Sequence, residues 1–394
     1  MKALRPIVAV CSTLVLATTG HAATGEPFYG DPPDAHHPWA IHDQNRPQPK
    51  AVLAGTFSSQ SEAGKPPSDA VVLFDGKDFS QWERDKKEGG PVEKWTIEGG
   101  SMVVMGGGGI RTKAKFGDCQ LHVEWASPTE IKSEGQGRGN SGIFLMGICE
   151  CQVLDSYKNE TYADGGAGSY YGVNPPLVNP LNKSGDFQMV DIVFRRPVFK
   201  GDEVLDPGYM TVFINGVLVQ DHTRLEGPTG HMARTNPKAP FPEVGPLSLQ
   251  DHGNPVRFRN IWYRPLPPRA VEGGTDGPIS AEATAAKRQE IAASIRADAA
   301  TLQDAHNPLP ELKRWMESLV YEKNEAVFAQ VSAMAGLYVA SVKKLTGDQL
   351  ADKKEDVKRL RNEFRYMIKH KLFPGDFAPK AELDAIISAQ GWEK

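Results

Sequence analysis

Between Val71 and Pro265 apolar side chains recur at every second position in short runs, separated by glycine, proline, asparagine and aspartate. Alternation of this kind sends successive side chains to opposite faces of an extended chain, so each run can bury one face only. Runs at 71–74, 95–97, 102–105, 119–125, 190–194, 210–214, 217–219 and 258–263 read as strands. Asn215-Gly216, between two of them, is a strong signal for a two-residue hairpin turn. No helical period separates the runs, and parallel strands need long crossovers. The stretch is therefore expected to be an antiparallel β-sandwich.

The period changes after Pro268. Glu272 to Pro278 is a glycine-rich linker, and Ser280 followed by Glu282 has the form of a helix start. Segments 280–305, 310–345, 347–371 and 379–389 are helical candidates, and their apolar residues predict a small bundle. The expected organisation is an export leader over 1–22 and a Pro/Gly-rich linker or strap over 23–69. The sandwich follows over 70–267, a linker over 268–279 and a helical domain over 280–394. The leader rests on Lys2 and Arg5, an apolar run over 7–18 and small residues around Ala22. That run is too short for a permanent membrane span, so a periplasmic or extracellular protein with no membrane span is expected.

A formal charge of −4 over 394 residues supplies no basic stripe, which argues against a nucleic-acid partner. Of four cysteines, Cys11 falls in the leader, and the odd remainder of Cys119, Cys149 and Cys151 cannot all pair. They are read as buried thiols.

Residues 142–155 read as one strand. Ile143, Leu145, Cys149, Cys151 and Val153 fall on the core face, with Asn140, Phe144, Met146, Glu150 and Gln152 on the other. A carboxylate and a carboxamide on an otherwise apolar strand are costly unless a partner meets them. With aromatic neighbours and Asp155 at the exit, that face suits a sugar or similar polyol. A second cluster, Gln250-Asp251-His252-Gly253, puts an imidazole on a tight turn, where it suits proton transfer near neutrality. There is no nucleophile elbow, phosphate loop or dinucleotide fingerprint.

Several ordered motifs carry a family resemblance. They are Leu73-Phe74-Asp75-Gly76-Lys77-Asp78 with Trp82, then Gly139-Asn140-Ser141-Gly142-Ile143, then Glu150-x-Gln152-Val153-Leu154-Asp155. Tyr171-Gly172, Asn215-Gly216, Leu249-Gln250-x-His252-Gly253 and Phe258-Arg259-Asn260-Ile261 follow. Over residues 70–267 the chain resembles the DUF1080 family, described as 3-keto-disaccharide hydrolase or 3-keto-α-glucoside 1,2-lyase and 3-keto-2-hydroxyglucal hydratase. The resemblance implies a concanavalin-like jelly-roll sandwich, mainly β, with the C-terminal α-helical bundle lying outside it. It also implies an enzyme that cleaves 3-keto-glycosides. A ketone at C3 acidifies the C2 hydrogen, a base removes it, the C1 substituent leaves, and water adds to the unsaturated sugar. This needs a base, an acid and donors for the enolate oxygen. The residues expected to carry it are Glu150, His252 and Asp155 as catalytic groups, with Glu124 an alternative base. Asn140, Gln152, Gln250, Arg259 and Glu124 are expected around the substrate, and Arg259 or a divalent cation at the enolate. The alternative is a non-catalytic carbohydrate-binding or envelope interaction protein on the same lectin-like scaffold.

Overall fold

A computed structural model describes residues 29–234, 241–274 and 279–393. The leader and Cys11 lie outside the described residues. The chain divides into two compact units, one of residues 48–279 and one joining the segment up to Pro47 with residues from Ser280 onward. The stretch expected as one strap is thus shared between them.

In the first unit the chain forms β1 (Val71–Phe74), β2 (Trp82–Arg84), β3 (Trp95–Glu98), β4 (Ser101–Val104) and β5 (Ile110–Thr112). It continues with β6 (Cys119–Ala126), β7 (Ser141–Leu145), β8 (Cys149–Val153), β9 (Phe187–Arg195) and β10 (Val198–Lys200). Last come β11 (Glu203–Asp206), β12 (Tyr209–Ile214), β13 (Val217–Arg224), β14 (Ser248–Leu249) and β15 (Arg257–Pro265). The large sheet runs β13-β12-β9-β6-β15-β4-β3, with β1 also on β15; the small sheet runs β2-β5-β14-β7-β8. Strands β10 and β11 pair separately. The two main sheets are antiparallel, as the alternation predicts.

One core holds the two sheets together. Leu121, Val123, Trp125, Val190, Ile192, Phe194 and Phe258 from the large sheet meet Ile110, Ile143, Leu145, Cys149, Cys151, Val153 and Leu249 from the small one. Register explains the shared face: Leu121 pairs Ile192 and Val123 pairs Val190, and opposite residues point the same way. Cys119, Cys149 and Cys151 are free and buried.

The segment expected as a single strand from Gly142 is a hairpin. Met146 and Gly147 both take positive φ, 58° and 71°, and the Ile148 amide donates to the Leu145 carbonyl at 3.1 Å. Met146 to Ile148 form a three-residue loop, with Leu145 opposite Cys149. Ile143 then pairs Cys151 and Leu145 pairs Cys149, so both arms keep their apolar face inward. Met146, expected on the polar face, packs into the core.

The second unit contains α1 (Ala281–Ala299), α2 (Leu309–Tyr321), α3 (Glu325–Val342), α4 (Gly347–Ala351), α5 (Lys354–Lys369) and α6 (Ala378–Ala389). The Ser280 hydroxyl accepts from the Ala283 amide and caps α1. The candidate at 310–345 is two helices, because Asn324 caps α3 by accepting from the Val327 amide. By length and composition α3 is apolar enough to cross a membrane, and its Val327, Val331, Ala335, Val339 and Val342 are buried.

Candidate active site on the small sheet

Cross-strand register draws a line of side chains over the outer face of the small sheet. Glu83 pairs Arg111, Arg111 pairs Ser248, Ser248 pairs Phe144, and Phe144 pairs Glu150. Their alternating neighbours Ile110, Leu249, Ile143, Cys149 and Cys151 lie in the core, so this line faces outward. The segment 168–171 extends the sheet beside β8. The Gln152 amide donates to the Ser169 carbonyl at 3.0 Å and the Tyr171 amide to the Glu150 carbonyl at 3.2 Å. Tyr170 enters the core, which leaves Tyr171 on the outer face next to Glu150.

A parallel line runs one step along. Gln152 pairs Gly142, and the Gln250 amide donates to the Gly142 carbonyl at 3.0 Å. Gly142 is needed here: a Cβ would lie 2.4 Å from Glu150 Oε1 and 2.6 Å from the Phe144 ring. Glycine lets the carboxyl lie flat across the strand.

Glu150 is the perturbed group of this face. It is 5% exposed, and burial raises its pKa from 4.5 to about 8, so it is mostly protonated at neutrality. Its neighbours are rich in hydroxyls. The Tyr171 hydroxyl lies 2.8 Å from that of Tyr162 and 3.0 Å from His231 Nδ1. Burial, the Tyr162 contact and the charges of Glu150 and Asp164 all raise the Tyr171 pKa. At the other end Arg111 Nε donates to Glu83 Oε1 at 2.9 Å, with Asp85 at 3.6 Å from Nη1. Between the ends, Ser248 Oγ and Gln250 Oε1 are buried without a hydrogen-bond partner among the described residues. Unpaired polar atoms lining a half-buried aromatic ring are what a hydroxyl-rich ligand can satisfy.

The expected residues divide between places. Glu150, Gln152 and Gln250 share this face. Asn140 is buried behind it and donates to Gln136, at 2.8 Å to the carbonyl and 3.1 Å to Oε1. Asp155 is held by Arg138 Nε at 3.0 Å and accepts from the Tyr157 amide at 3.3 Å. That pair ties the 135–142 loop to the β8 exit, beside a cavity of about 410 Å³ lined in part by Lys132, Asn254 and Pro255. His252 stands on an exposed turn, its carbonyl accepting from Asn254 Nδ2 at 3.3 Å. The imidazole that reaches Tyr171 is His231, its Nδ1 3.0 Å from the hydroxyl.

Glu124 and Arg259 do not join the site. They pair with each other on β6 and β15, and Val123, Trp125 and Phe258 beside them fill the core. Both therefore face outward from the large sheet, on the other side of the sandwich. Arg259 Nε donates to Glu124 Oε2 at 2.7 Å, and the guanidinium lies 3.7 Å over the Phe187 ring. Residues Ser58 to Gln60 cover the pair. The Ser58 hydroxyl donates to Glu124, Arg259 donates to the Ser59 and Gln60 carbonyls, and Gln60 exchanges hydrogen bonds with the Phe187 backbone. Burial opposes the Glu124 charge, yet hydrogen bonds from His122, Ser58, Asn260 and Arg259 hold its pKa at about 2. Burial likewise opposes the His122 cation, and Asp191 and Glu124 outweigh it, raising His122 to about 9. This cluster anchors a strap.

Among the described residues no three His, Cys, Asp or Glu side chains converge as a metal-binding set.

Arg111, Tyr171 and His231 carry weak sequence signals. Arg111 sits in a three-residue strand after a glycine run, and His231 in a loop without period. Tyr171 appears only as part of a Tyr-Gly motif.

Two relatives bear on what the fold is. A 3-keto-disaccharide hydrolase of Bacteroides thetaiotaomicron is 27% identical over 239 residues, which cover 50% of this chain and 78% of that one. A crystal structure from Parabacteroides distasonis, of a protein described as a provisional glycosyl hydrolase, is 42% identical with a TM-score of 0.52. It covers 56% of this chain and 93% of its own. Residues 69–264, which span both sheets and the Glu150 face, match the 3-keto-alpha-glucoside-1,2-lyase-like domain, and the chain belongs to that family.

Proposed function

We propose that this protein cleaves 3-keto-glycosides, with Glu150 as the base that takes the C2 proton. The observation that carries the reading is a desolvated carboxyl on the outer face of the small sheet, beside the Phe144 ring, at about 8 rather than 4.5. A carboxylate raised this far is a stronger base than an exposed one, and about a tenth of it is ionised at pH 7. The C3 ketone of the substrate makes C2–H acidic enough for such a base. Electron density then moves into the ketone oxygen as an enolate, and the C1–O bond breaks. Tyr171, hydrogen-bonded to His231, is the proposed proton donor to the departing oxygen. Arg111, three strands from Glu150 and hydrogen-bonded to Glu83, closes the far end of the same face. Phe144 between them offers a floor for the sugar ring. Addition of water to the unsaturated product completes a net hydrolysis. The leader over 1–22 is proposed to export the protein, which N-terminal sequencing of the mature chain would test.

The experiment is incubation with a 3-keto-glucoside, following free aglycone and the unsaturated intermediate. Glu150→Gln should lose roughly 10²–10⁴-fold in rate while still binding substrate. Wild-type protein that binds 3-keto-glycosides without turning any over would make it a carbohydrate-binding module instead.

A further inference from the structure

Next to Glu150 stands a chain of carboxamides whose donors and acceptors can be counted. Gln136 is fixed at its far end. Its Nε2 donates to the Gly165 carbonyl at 2.9 Å and to Thr161 Oγ1 at 3.1 Å. A carbonyl only accepts, so nitrogen must lie on that side and Gln136 Oε1 must point at Gln152. Asn140 Nδ2 donates to the same oxygen at 3.1 Å, which agrees.

Gln152 lies between two oxygens. One end of its carboxamide is 3.1 Å from Gln136 Oε1, and the other is 3.0 Å from Glu150 Oε1 and 3.2 Å from the Ser141 carbonyl oxygen. With nitrogen toward Gln136, the Gln152 oxygen faces Glu150, and that contact is a hydrogen bond only when Glu150 carries the proton. With nitrogen toward Glu150, the amide donates to the carboxylate and to Ser141, while its oxygen meets Gln136 Oε1, acceptor to acceptor. Each orientation suits one protonation state of Glu150 and leaves one repulsive contact, so neither is locked.

We infer that Gln152 is a positioning residue whose carboxamide turns over when Glu150 gains or loses its proton, so that the carboxyl keeps a hydrogen bond in both states. A buried acid that must take and return a proton in each cycle would otherwise lose its partner in one of the two states. The surroundings leave this task to Gln152. The ionisable groups facing Glu150 are Tyr171, with Asp164, Tyr162 and His231 beyond it, and Cys151 on the reverse face of the strand. Burial is the cause of the raised Glu150 value.

The catalytic use of the switch rests on Glu150 being the base proposed above, but the switch is a property of the resting protein and is tested without substrate. The Gln152 side-chain ¹⁵N resonance, assigned by its loss in Gln152→Met, is followed from pH 6 to pH 10 alongside the Glu150 carboxyl signal, assigned by Glu150→Gln. Both should move with one midpoint near 8. In Glu150→Gln the Gln152 signal should stay still. In Gln152→Met the acid loses its acceptor and the carboxylate its donor; the bond to the charged form is the stronger, so the two losses partly cancel and the Glu150 midpoint should rise by less than about one pH unit. A Gln152 resonance that stays fixed through the Glu150 titration overturns the switch, and wild-type protein alone decides that. An inactive protein with a moving amide would remove the proposed reaction and leave the switch.

Discussion

Glu150→Gln should stabilise the sandwich, and by an amount that depends on pH. In the folded chain burial holds Glu150 at about 8, against 4.5 for an exposed carboxyl. Below 4.5 the group is protonated whether folded or unfolded, and it costs nothing. Between 4.5 and about 8 the unfolded chain ionises while the folded chain does not, so stability falls as pH rises. At 1.36 kcal/mol per pH unit, the loss is about 3 kcal/mol near pH 7 and about 5 kcal/mol once the folded carboxyl has ionised. Glutamine keeps the shape and does not titrate. The variant should therefore match wild type near pH 4 and exceed it by those amounts at higher pH. Two units need not unfold together, so the assay must report on this one. Proteins equilibrated in urea at several pH values are pulsed with deuterium, and peptides covering β7 and β8 are read by mass spectrometry. A stabilisation of the same size at every pH would refute the reasoning, since it would show that Glu150 ionises alike in both states.

Other consequences are quicker to check. Arg259→Ala strands a buried Glu124 charge and should cost about 3–5 kcal/mol in urea unfolding, while turnover by the folded fraction stays at the wild-type level. His122 contributes stability that is full below 6.5 and is lost as pH rises through about 9. Urea midpoints should fall over that window in wild type, with that part of the fall missing in His122→Gln. Cys119, Cys149 and Cys151, pushed up to about 12 by burial, should resist iodoacetamide near pH 8 in the native protein and react fully in urea.

Period-two alternation was legible wherever a strand was long. Strand β6 is the clearest case, with Cys119, Leu121, Val123 and Trp125 all in the core. The same alternation put Glu150 and Gln152 on the outer face, and it survived a wrong strand count. Three residues, Met146 to Ile148, join the arms, so Leu145 pairs Cys149 four positions on, and that even separation preserves which face each later residue takes. Illegible from sequence were β2, β5 and β14, of two or three residues each, which carry the sheet from β7 across to Glu83. A run that short has no period to detect, so Arg111 could not be placed beside Ser248. Glu124 and Arg259 failed for another reason. Alternation says that a side chain leaves the core, and each of the two sheets has an outer face to which it can go.

The two outer faces differ in a way that supports the choice of one of them as the proposed site. Each carries a buried carboxylate amid polar groups, and a sequence pattern would rank them alike. On the large sheet Glu124 receives hydrogen bonds from Arg259, Asn260, Ser58 and His122, and its pKa falls to about 2. An anion satisfied that well has no reason to accept a proton and no room for a ligand, because Ser58 to Gln60 already lie over it. On the small sheet burial alone acts on Glu150, and its pKa rises to about 8. Ser248 and Gln250 on the same face keep polar atoms without a partner among the described residues. Opposite shifts from the same residue type separate an anchor from a site: the strap occupies the face where charge is neutralised, and the face left in want of partners is the one that a polyhydroxylated substrate can complete.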